Sequence, residues 1–402
     1  MKILIVSHND KFGAGNAALK ILNCLKNEKN FVKLLVFKKF SHSKDVIEYS
    51  LNPIQRIKNI INLSFNKIYN IFFSNFLFYS SFDLLSLNIH KYINNSDYDL
   101  IQIIWPHRFL NIKDILSIKK KIIWRMSDYW LLFGSIHYPK DLNTINKLEQ
   151  YKNRNFIYMI EYYFYLKKVK LIKKLDGIIT PSKMLERYVI QNPHFKDTLI
   201  TQINTPINKK FYYSKDSYLS KKKIKLDPNK NYVLFISSSN KENDRKGSKY
   251  FKKLIEYSNI DNLLFLKVGS DLKLTNPQSQ NKVVNFGNVN DYDMLNNIYN
   301  ASAITFIPSI IDNSPQVAIE SLCAGTPVIA SSNSGLNDIY DHAYVRFYDK
   351  FDEDNIFANI EEIIKLFSLK KLDRNKISKA TEDQHSNEFV VKKFLNFYGT
   401  LN

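Results

Sequence analysis

The sequence has 402 residues, of which 45% are hydrophobic and 24% are charged, as is typical of a globular protein long enough for two domains with full cores. Its two cysteines, Cys24 and Cys323, lie in apolar, helical contexts, which argues against a disulfide framework and favours a reducing compartment. The formal net charge of +20 would suit nucleic acid, a membrane surface or an anionic substrate. We expect no nucleic-acid partner, because no motif with interleaved aromatic and glycine residues is present, and the abundant Lys, Asn and Ile also fit a compositional bias.

Hydropathy argues for a protein that does not span a membrane. The first apolar run, Ile3–Val6, is too short for a signal peptide. No later run reaches the roughly 18–20 apolar residues that a membrane span needs. We therefore expect a cytoplasmic protein.

The chain opens with a predicted strand, Lys2–Val6, a loop, and Gly13-Ala14-Gly15 leading into a helix predicted for Asn16–Lys26. Glycines let the backbone approach a phosphate closely. The pattern is not a full G-x-G-x-x-G, so a tight turn needed for packing explains Gly13 and Gly15 about equally well. Val32–Phe37 is predicted as the second strand.

The segment Ile54–Tyr79 has isoleucines near helical spacing together with Arg56, Lys58 and Lys67. Such a helix could lie on a membrane surface with its isoleucines in the lipid. More often this pattern belongs to a helix whose apolar side faces a protein core, and we favour that interpretation.

Two more buried strands are predicted, Asp99–Trp105 and Ile122–Met126, and the second ends in Ser127-Asp128-Tyr129-Trp130. Polar groups at the carboxyl end of a parallel strand lie where ligands bind. A later histidine, His137, would more often be structural than catalytic when taken alone. A helix over Asn155–Lys174, a strand ending at Ser182, a helix capped by Ser182 and a strand over Leu199–Ile203 complete the first half.

The second half begins with a charged stretch, Lys209–Lys230, that is predicted as a linker. Predicted strands and helices then alternate again, as listed here: strands Asn231–Ser237, Leu263–Val268 and Val283–Phe286, and helices Ser248–Tyr257, Asp291–Tyr299, Asp352–Phe367 and Asn387–Phe397. A basic step, Arg245-Lys246-Gly247, precedes the first of these helices. In so basic a chain, a solvated loop is the plain alternative to an anion site.

The most informative stretch is Ala303–Ile339. The sequence predicts a strand over Ile304–Pro308, Ser314 as N-cap, Pro315 as the first helical residue, and Gly325 as a left-handed C-terminal cap before the next strand. Free backbone N–H groups at the start of this helix favour a phosphate.

Two acids frame that loop and helix, Asp312 and Glu320, with seven residues between them. A carboxylate at that depth can accept two hydrogen bonds from a vicinal diol such as a ribose. Either acid alone would more often be structural, but the pair in a strand–loop–helix frame indicates a binding site.

This stretch resembles the donor-site signature of retaining GT-B glycosyltransferases of the family-four group: two acids seven residues apart, a helix end of small residues and a Gly-x-Pro-Val strand. Asp312 stands where many members have Glu. The run Asp312-Asn313-Ser314-Pro315 resembles the Asp-Asn-x-Pro version found in a colanic-acid-like subgroup of enzymes of surface-polysaccharide synthesis.

The resemblance covers nearly the whole chain. Gly13 and Gly15 match a loop that faces the donor diphosphate and the acceptor, and Lys246 matches a lysine that pairs with the diphosphate. Arg245 is the weaker candidate for that role, and Lys241 is one that we do not rank. A block over 124–138 also matches, at positions listed here: Asp128, Trp130, Gly134, His137 and Tyr138. Ser127 stands at the position of the commoner His, so a histidine role there is not carried over.

What the resemblance implies is an α/β fold of the GT-B type, with two Rossmann-like domains facing across a cleft. The N-terminal, acceptor-side domain would be 1–208, the nucleotide-sugar donor domain 209–385, and a C-terminal helix over 386–402 would cross back to the first domain. The implied catalytic residues are Asp128, Lys246 and Asp312. The implied donor-binding residues are Gly13, Gly15, Arg245, Lys246, Asp312, Asn313, Ser314 and Glu320.

The implied reaction moves a sugar, with retention, from a nucleotide-sugar donor to a hydroxyl of a glycan or lipid-linked glycan in bacterial surface-polysaccharide synthesis. We expect no metal and no cofactor besides the donor, because no ligand cluster stands out in the sequence. The acceptor and the positive charge together suggest a peripheral position on the anionic inner face of the cell membrane. Two alternatives stay open: a nucleotide-sugar epimerase of the same fold, and a non-catalytic nucleotide-sugar-binding protein, because Ser127 and Asp312 depart from the commonest pattern. The sugar, the nucleobase and the acceptor are not specified by the sequence.

Overall fold

The computed structural model describes residues 1–26, 30–72, 77–82, 84–140, 142–151, 153, 156–239, 244–274, 276–337 and 343–401. The chain forms two compact units. Unit 1 comprises Met1–Pro206 and Asn387–Asn402, and unit 2 comprises Ile207–Ser386.

Unit 1 is built on a parallel sheet. Its strands are β1 Lys2–Asn9, β2 Phe31–Lys38, β3 Val46–Glu48, β4 Leu77–Ser80, β5 Leu100–Trp105, β6 Lys121–Arg125, β7 Ile136–Pro139, β8 Gly177–Thr180 and β9 Leu199–Gln202. Its helices before residue 207 are α1 Phe12–Lys26, α2 Pro53–Phe72, α3 Ile89–Asn94, α4 Ile112–Leu116, α5 Leu148–Tyr151, α6 Phe156–Ile172 and α7 Lys183–Ile190.

In the described part of unit 1, seven strands pair in the order β3-β2-β1-β5-β6-β8-β9, all in parallel, and β4 and β7 form a separate antiparallel pair. Residues 3–6 of β1 are fully buried, as expected for a central strand of a parallel sheet that is covered on both faces. Because β1 lies between β2 and β5, the order of the strands reverses there, and ligands of open α/β sheets bind at such a switch point.

Unit 2 has the same kind of architecture. Its elements are α8 Ser217–Lys223, β10 Asn231–Ser237, α9 Ser248–Tyr257, β11 Leu263–Gly269, α10 Pro277–Gln280, β12 Val283–Asn285, α11 Tyr292–Ala301, β13 Ile304–Ile307, α12 Gln316–Cys323, β14 Val328–Ser331, β15 Val345–Tyr348, α13 Glu353–Ser368 and α14 Arg374–His385. The parallel sheet runs β12-β11-β10-β13-β14-β15 over the residues described. Here the switch point lies between β10 and β13, where Val233 pairs with Ile304.

The last helix, α15 Asn387–Gly399, belongs to unit 1. Its residues Val390, Phe394 and Tyr398 are buried in the same hydrophobic core as β1 and α1. The Tyr398 hydroxyl donates to Gln102 of β5, and the Cys24 thiol of α1 donates to the Asn387 carbonyl at 3.3 Å. The C-terminal segment therefore completes the core of the unit that the first residues begin.

Helix α2 is oriented opposite to the sequence expectation. Its exposed positions are Ile54, Ile57, Ile60, Ile61, Ile68 and Ile71, and its buried ones include Gln55, Asn59, Asn62 and Asn66. Asn62 and Asn66 each exchange two hydrogen bonds with backbone groups, of Leu85 and Phe82 respectively. Because buried amides must find such partners, the polar side faces the protein and the isoleucines face solvent. The prediction of a core-facing apolar side was wrong.

Several predicted boundaries also differ. Strand β1 continues to Asn9 and α1 already begins at Phe12, so Gly13 and Gly15 lie in the first turn of the helix and not in a loop before it. The predicted linker Lys209–Lys230 contains α8, which begins where Asp216 accepts a hydrogen bond from the Leu219 amide at 2.8 Å. Within the described ranges, none of the helices combines the length and the apolarity that crossing a lipid bilayer requires.

Candidate active site

Three side chains meet at the switch point of unit 2. Asp312 follows β13, and its side chain is only 7% exposed. The Lys246 Nζ lies 2.5 Å and the Arg245 Nη1 3.1 Å from Asp312 Oδ2, and both cations come from the loop after β10. We call these three residues the Asp312 cluster. Residues 66 and 67 positions apart in sequence are brought together because β10 and β13 are neighbours in the sheet.

Two glycines let the surrounding loops pack this closely. Gly247 has φ of +77°, and a Cβ there would lie 1.9 Å from the Pro308 carbonyl oxygen. The Ile310 amide donates to the Arg245 carbonyl at 2.9 Å, so the basic loop lies against the backbone that leads to Asp312. A side chain at position 247 would separate the two loops.

The electrostatics of the Asp312 cluster favour an anion. Burial opposes ionisation of Asp312, but Lys246 and Arg245 outweigh it and lower the pKa of this carboxyl to about 2. Arg245 Nη1 also donates to the Ile311 carbonyl at 2.8 Å. With one carboxylate between two cations, the cluster keeps a net positive charge, and the Lys246 side chain remains 34% exposed. An anionic ligand can therefore reach its ammonium group.

The start of α12 differs by one residue from the prediction. Pro315 has extended ψ of 111° and is itself the N-cap, so the helix begins at Gln316 and Ser314 lies in the loop. The Asn313 amide donates to Asp312 Oδ1 at 2.8 Å. At the other end, Gly325 has φ of +77°, which confirms the predicted left-handed cap.

Glu320 lies on α12 beside an aromatic pair. Its Oε2 accepts a hydrogen bond from the Tyr299 hydroxyl at 3.1 Å. Burial and the neighbouring Glu320 raise the pKa of Tyr212 as well, so both phenols stay protonated. The half-buried carboxylate is thus oriented by tyrosines that the sequence did not single out.

In unit 1, Asp128 is the centre of a buried hydrogen-bonded chain. Asp128 Oδ2 lies 2.5 Å from His137 Nδ1, and His137 Nε2 lies 2.7 Å from the Ser81 hydroxyl. The Trp105 indole donates to Oδ2 at 3.1 Å, and the Trp130 amide donates to Oδ1 at 3.0 Å. A neutral histidine that donates from Nδ1 to Asp128 would accept from Ser81 at Nε2. Asp128 is held by this network in a fixed orientation.

A third buried histidine, His107, stands beside this chain. Potential ligand atoms of His107, Asp128 and His137 lie within 4.8 Å of one another, a spacing that could hold a metal ion. In the hydrogen-bonded arrangement, however, both ring nitrogens of His137 are already engaged. Burial lowers the pKa of His107 well below its ordinary value, so this ring is neutral. The geometry suits a hydrogen-bonded chain better than a metal centre, and the absence of a metal stays a prediction.

The two N-terminal glycines differ in what their surroundings demand. A Cβ at Gly15 would lie 2.2 Å from Asn9 Oδ1, so α1 can pack against the end of β1 only with glycine there. Around Gly13, no described atom lies within 4 Å of a Cβ position. Packing therefore explains Gly15 and leaves Gly13 with room for a ligand beside it.

Comparisons with known proteins agree with this architecture. Residues 217–383 match the family model of glycosyl transferases group 1. An uncharacterized glycosyltransferase of Methanocaldococcus jannaschii is 30% identical over 121 residues, which is 30% of this chain and 30% of the length of that relative. Sucrose-phosphate synthase from Thermosynechococcus elongatus superposes with a TM-score of 0.68 at 14% identity, over 100% of this chain and 99% of the other. Anabaena HepE in complex with UDP-glucose superposes with a TM-score of 0.65 at 14% identity, over 100% of both chains.

The chain has the GT-B fold. The family match to residues 217–383 supports a glycosyltransferase of this fold. The Asp312 cluster, Asn313, Ser314 and Glu320 all lie inside the matched segment. Lys241, the candidate left unranked, lies outside the described residues.

Sequence reasoning missed three groups that hold the GT-B site residues: Ser81, Trp105 and Tyr299. Trp105 ends a predicted strand, so its position at a carboxyl edge was a usable signal. Ser81 follows β4, a short strand whose partner β7 is more than 50 residues away in sequence, and no local pattern marks it. Tyr299 is apolar in pattern on α11, and only the fold shows its hydroxyl against Glu320.

Proposed function

We propose that this protein is a retaining, metal-independent glycosyltransferase of the family-four type. It transfers a sugar from a nucleotide sugar to a hydroxyl of a glycan or lipid-linked glycan, in bacterial surface-polysaccharide synthesis. The observation that carries the proposal is the Asp312 cluster, a positively charged site at the carboxyl end of the sheet in the segment that matches the glycosyltransferase family model.

Each residue of the donor site has a chemical task in this proposal. The bond between the anomeric carbon and the diphosphate oxygen breaks as the carbon binds the acceptor oxygen, and the acceptor proton passes to the leaving phosphate. Lys246, supported by Arg245, stabilises the growing charge on that phosphate. The backbone N–H groups at Asn313, Ser314 and the start of α12 add further donors.

The two acids of this segment contact sugar hydroxyls in the proposal. Asp312, fixed by its ion pairs, accepts from hydroxyls of the donor sugar. Glu320, oriented by Tyr299, accepts from the ribose diol. Both carboxyls must be ionised to accept two hydrogen bonds, and the low pKa of Asp312 meets that requirement.

In unit 1, Asp128 contacts the acceptor or orients the reacting centre. Its hydrogen bonds to His137, Trp105 and the Trp130 amide fix the carboxylate before substrate arrives, which lowers the cost of ordering it in the transition state.

The deciding experiment incubates the protein with a panel of labelled nucleotide sugars, with and without glycan acceptors. Transfer, or slow hydrolysis with release of the nucleoside diphosphate, supports the proposal, and the anomeric configuration of the product tests retention. Conversion of the donor into another sugar indicates the epimerase, and binding without turnover indicates the non-catalytic alternative. The same assay in excess EDTA should give the same rate, and a rate restored by added divalent metal would refute metal independence.

We also propose that the protein works as a peripheral protein on the anionic inner face of the cell membrane, through the isoleucine face of α2. The exposed fractions of Ile54, Ile57, Ile68 and Ile71 are 55–67%, and their spacing of three, four or seven residues places them on one side of the helix. Arg56 and Lys67 are exposed on the same helix. An apolar face with flanking basic residues is the pattern of an interfacial helix, and each basic residue near an anionic surface contributes about 1 kcal/mol.

Co-sedimentation with vesicles tests this contact. The protein should pellet with vesicles that contain anionic lipid at low salt and be released as salt screens the charges. The double variant Ile57→Ser/Ile68→Ser should pellet less, whereas the matched control Ile190→Ser/Leu219→Ser, at positions 62% and 64% exposed, should pellet like the wild type. If the wild type stays in the supernatant at low salt, or binds neutral vesicles equally well, the electrostatic anchor is wrong and a soluble acceptor becomes the better proposal.

A further inference from the structure

Unit 1 contains a cavity of about 530 Å³ between α4 and α6. Its size falls within the roughly 300–1,000 Å³ range of small-molecule sites. Apolar side chains line most of it, among them Phe82, Leu110, Leu116, Trp130 and Leu166. The cavity is distinct from the Asp312 cluster, which belongs to unit 2.

The inner wall of the cavity is rigid. Trp130 is 5% exposed, and its ring stacks on Trp124 with centroids 5.6 Å apart and planes within 7°. The Lys168 ammonium lies 3.2 Å from the Trp130 ring centroid and donates to the Trp130 carbonyl at 2.5 Å. Phe82 stacks on Phe164 with centroids 3.7 Å apart. The apolar wall is therefore formed before any ligand arrives, which reduces the entropy cost of binding.

The outer side of the cavity is basic. Lys113, Lys167 and Lys170 line it and are exposed, so their ammonium groups lie on the solvent side of the buried Trp130. The lining residues that the structure describes include no carboxylate. Three like charges around an apolar hollow repel one another, and an anion placed among them would relieve that repulsion.

Two simpler ligands fit this arrangement less well. A neutral hydrocarbon would gain nothing from three lysines, and a free phosphate would gain nothing from an apolar wall. Leu84 and Leu166 leave further apolar surface exposed among the lining residues, 47% and 45% respectively. The combination matches a molecule with one apolar chain and one anionic end.

We propose that this cavity binds the lipid part of the acceptor, a single hydrocarbon chain that ends in a phosphate or diphosphate. The chain lies against Trp130 and Phe82, and the phosphate lies among Lys113, Lys167 and Lys170. The Trp130 amide donates to Asp128 Oδ1 at 3.0 Å, so the cavity wall and the residue proposed to contact the acceptor are directly connected. This inference rests on the proposed function for its lipid-linked acceptor.

The test measures binding of dodecyl phosphate, below its critical micelle concentration, by titration calorimetry on the full chain. Decyl and octyl phosphate, dodecanol, inorganic phosphate and a short-chain diacyl phosphatidate serve as comparison ligands. Dodecyl phosphate should bind at least tenfold more tightly than dodecanol or inorganic phosphate. Among the alkyl phosphates, affinity should rise by up to roughly fourfold for each added methylene that enters the cavity.

Variants locate the site. Leu166→Glu, which places a carboxylate in the cavity at an exposed position, should weaken dodecyl phosphate binding at least tenfold, and the matched control Leu219→Glu, 64% exposed in unit 2, should not. The triple variant Lys113→Gln/Lys167→Gln/Lys170→Gln should reduce the preference for dodecyl phosphate over dodecanol. The exposed lysines of unit 2 in Lys222→Gln/Lys225→Gln/Lys376→Gln provide its control.

Three outcomes would overturn the proposal: equal binding of dodecyl phosphate and dodecanol, equal binding of inorganic phosphate, or cavity variants that bind like the wild type. Tighter binding of the diacyl phosphatidate would assign the cavity to a membrane phospholipid instead of the acceptor. Failure of the proposed function is separable, because it appears as absence of donor hydrolysis in the wild type while alkyl phosphate binding persists.

Discussion

The substitution Asp312→Asn tests the electrostatics of the Asp312 cluster most directly. The pKa of Asp312 is lowered from an ordinary 3.8 to about 2, because Lys246 and Arg245 outweigh the burial of the carboxyl. A folded-state pKa below the unfolded one adds stability above the unfolded value, and here a shift of this size corresponds to about 2 kcal/mol at neutral pH. That contribution should be fully present above pH 4 and fall to about half near pH 3, as the pH approaches the folded-state pKa.

The assay is chemical denaturation of wild type and Asp312→Asn between pH 3 and 7, followed by circular dichroism and by tryptophan fluorescence. All three tryptophans, Trp105, Trp124 and Trp130, lie in unit 1, so their fluorescence follows unit 1 and should not change. Asp293→Asn is the matched control in unit 2. Its pKa is also lowered to about 2, by Lys215 and Lys223, but its side chain is 50% exposed and its ion pairs are exposed with it.

Because exposed ion pairs contribute only about 0–1 kcal/mol, Asp293→Asn should cost clearly less than Asp312→Asn. The two variants separate burial from charge, since both carboxyls have similar pKa values. An equal loss in both variants, or a loss for Asp312→Asn that is the same at pH 3 and pH 7, would refute the reasoning.

Three further substitutions address individual site residues. Glu320→Gln should weaken nucleoside diphosphate binding by about 1–3 kcal/mol through lost hydrogen bonds to a diol, measured by calorimetry, and unchanged affinity for every nucleotide would remove Glu320 from the site. Lys246→Ala should lower turnover by roughly two to three orders of magnitude, and a wild-type rate would show that this lysine is only loop surface. His137→Phe should lower turnover at least tenfold, while His137→Asn, which keeps a donor toward Asp128, should recover most of it without a change in the KM for donor. Equal activity of the Phe and Asn variants would reduce His137 to a packing residue.

The elements with long apolar runs were predictable from sequence. Residues 231–237 and 248–257 form β10 and α9 as expected, and Ser182 caps α7 by accepting from the Leu185 amide. The short strands β3, β4, β7 and β15 were missed, since three or four residues carry no usable pattern and depend on distant partners.

Helix α2 shows a deeper limit of sequence analysis. Periodicity revealed a polar and an apolar side, but not which of them faces the protein. That choice is made by the backbone of residues 80–87, whose groups bond to Gln55, Asn62, Asn66 and Asn70. At the candidate site, spacing and resemblance singled out Lys246 and Asp312, whereas the Ser81–His137–Asp128 chain depends on a strand pairing that no local signal predicts.

Helix α15 places a constraint on how the chain is made. The 180 residues of unit 2, Ile207–Ser386, separate the two parts of unit 1, and at roughly 5–20 residues per second their translation takes about 10–40 s. During that interval the surfaces that Val390, Phe394 and Tyr398 later cover remain uncovered on the nascent chain. Unit 2 can complete its fold on the ribosome before unit 1 does, so the N-terminal half, although synthesised first, is the part exposed longest to chaperones and to aggregation.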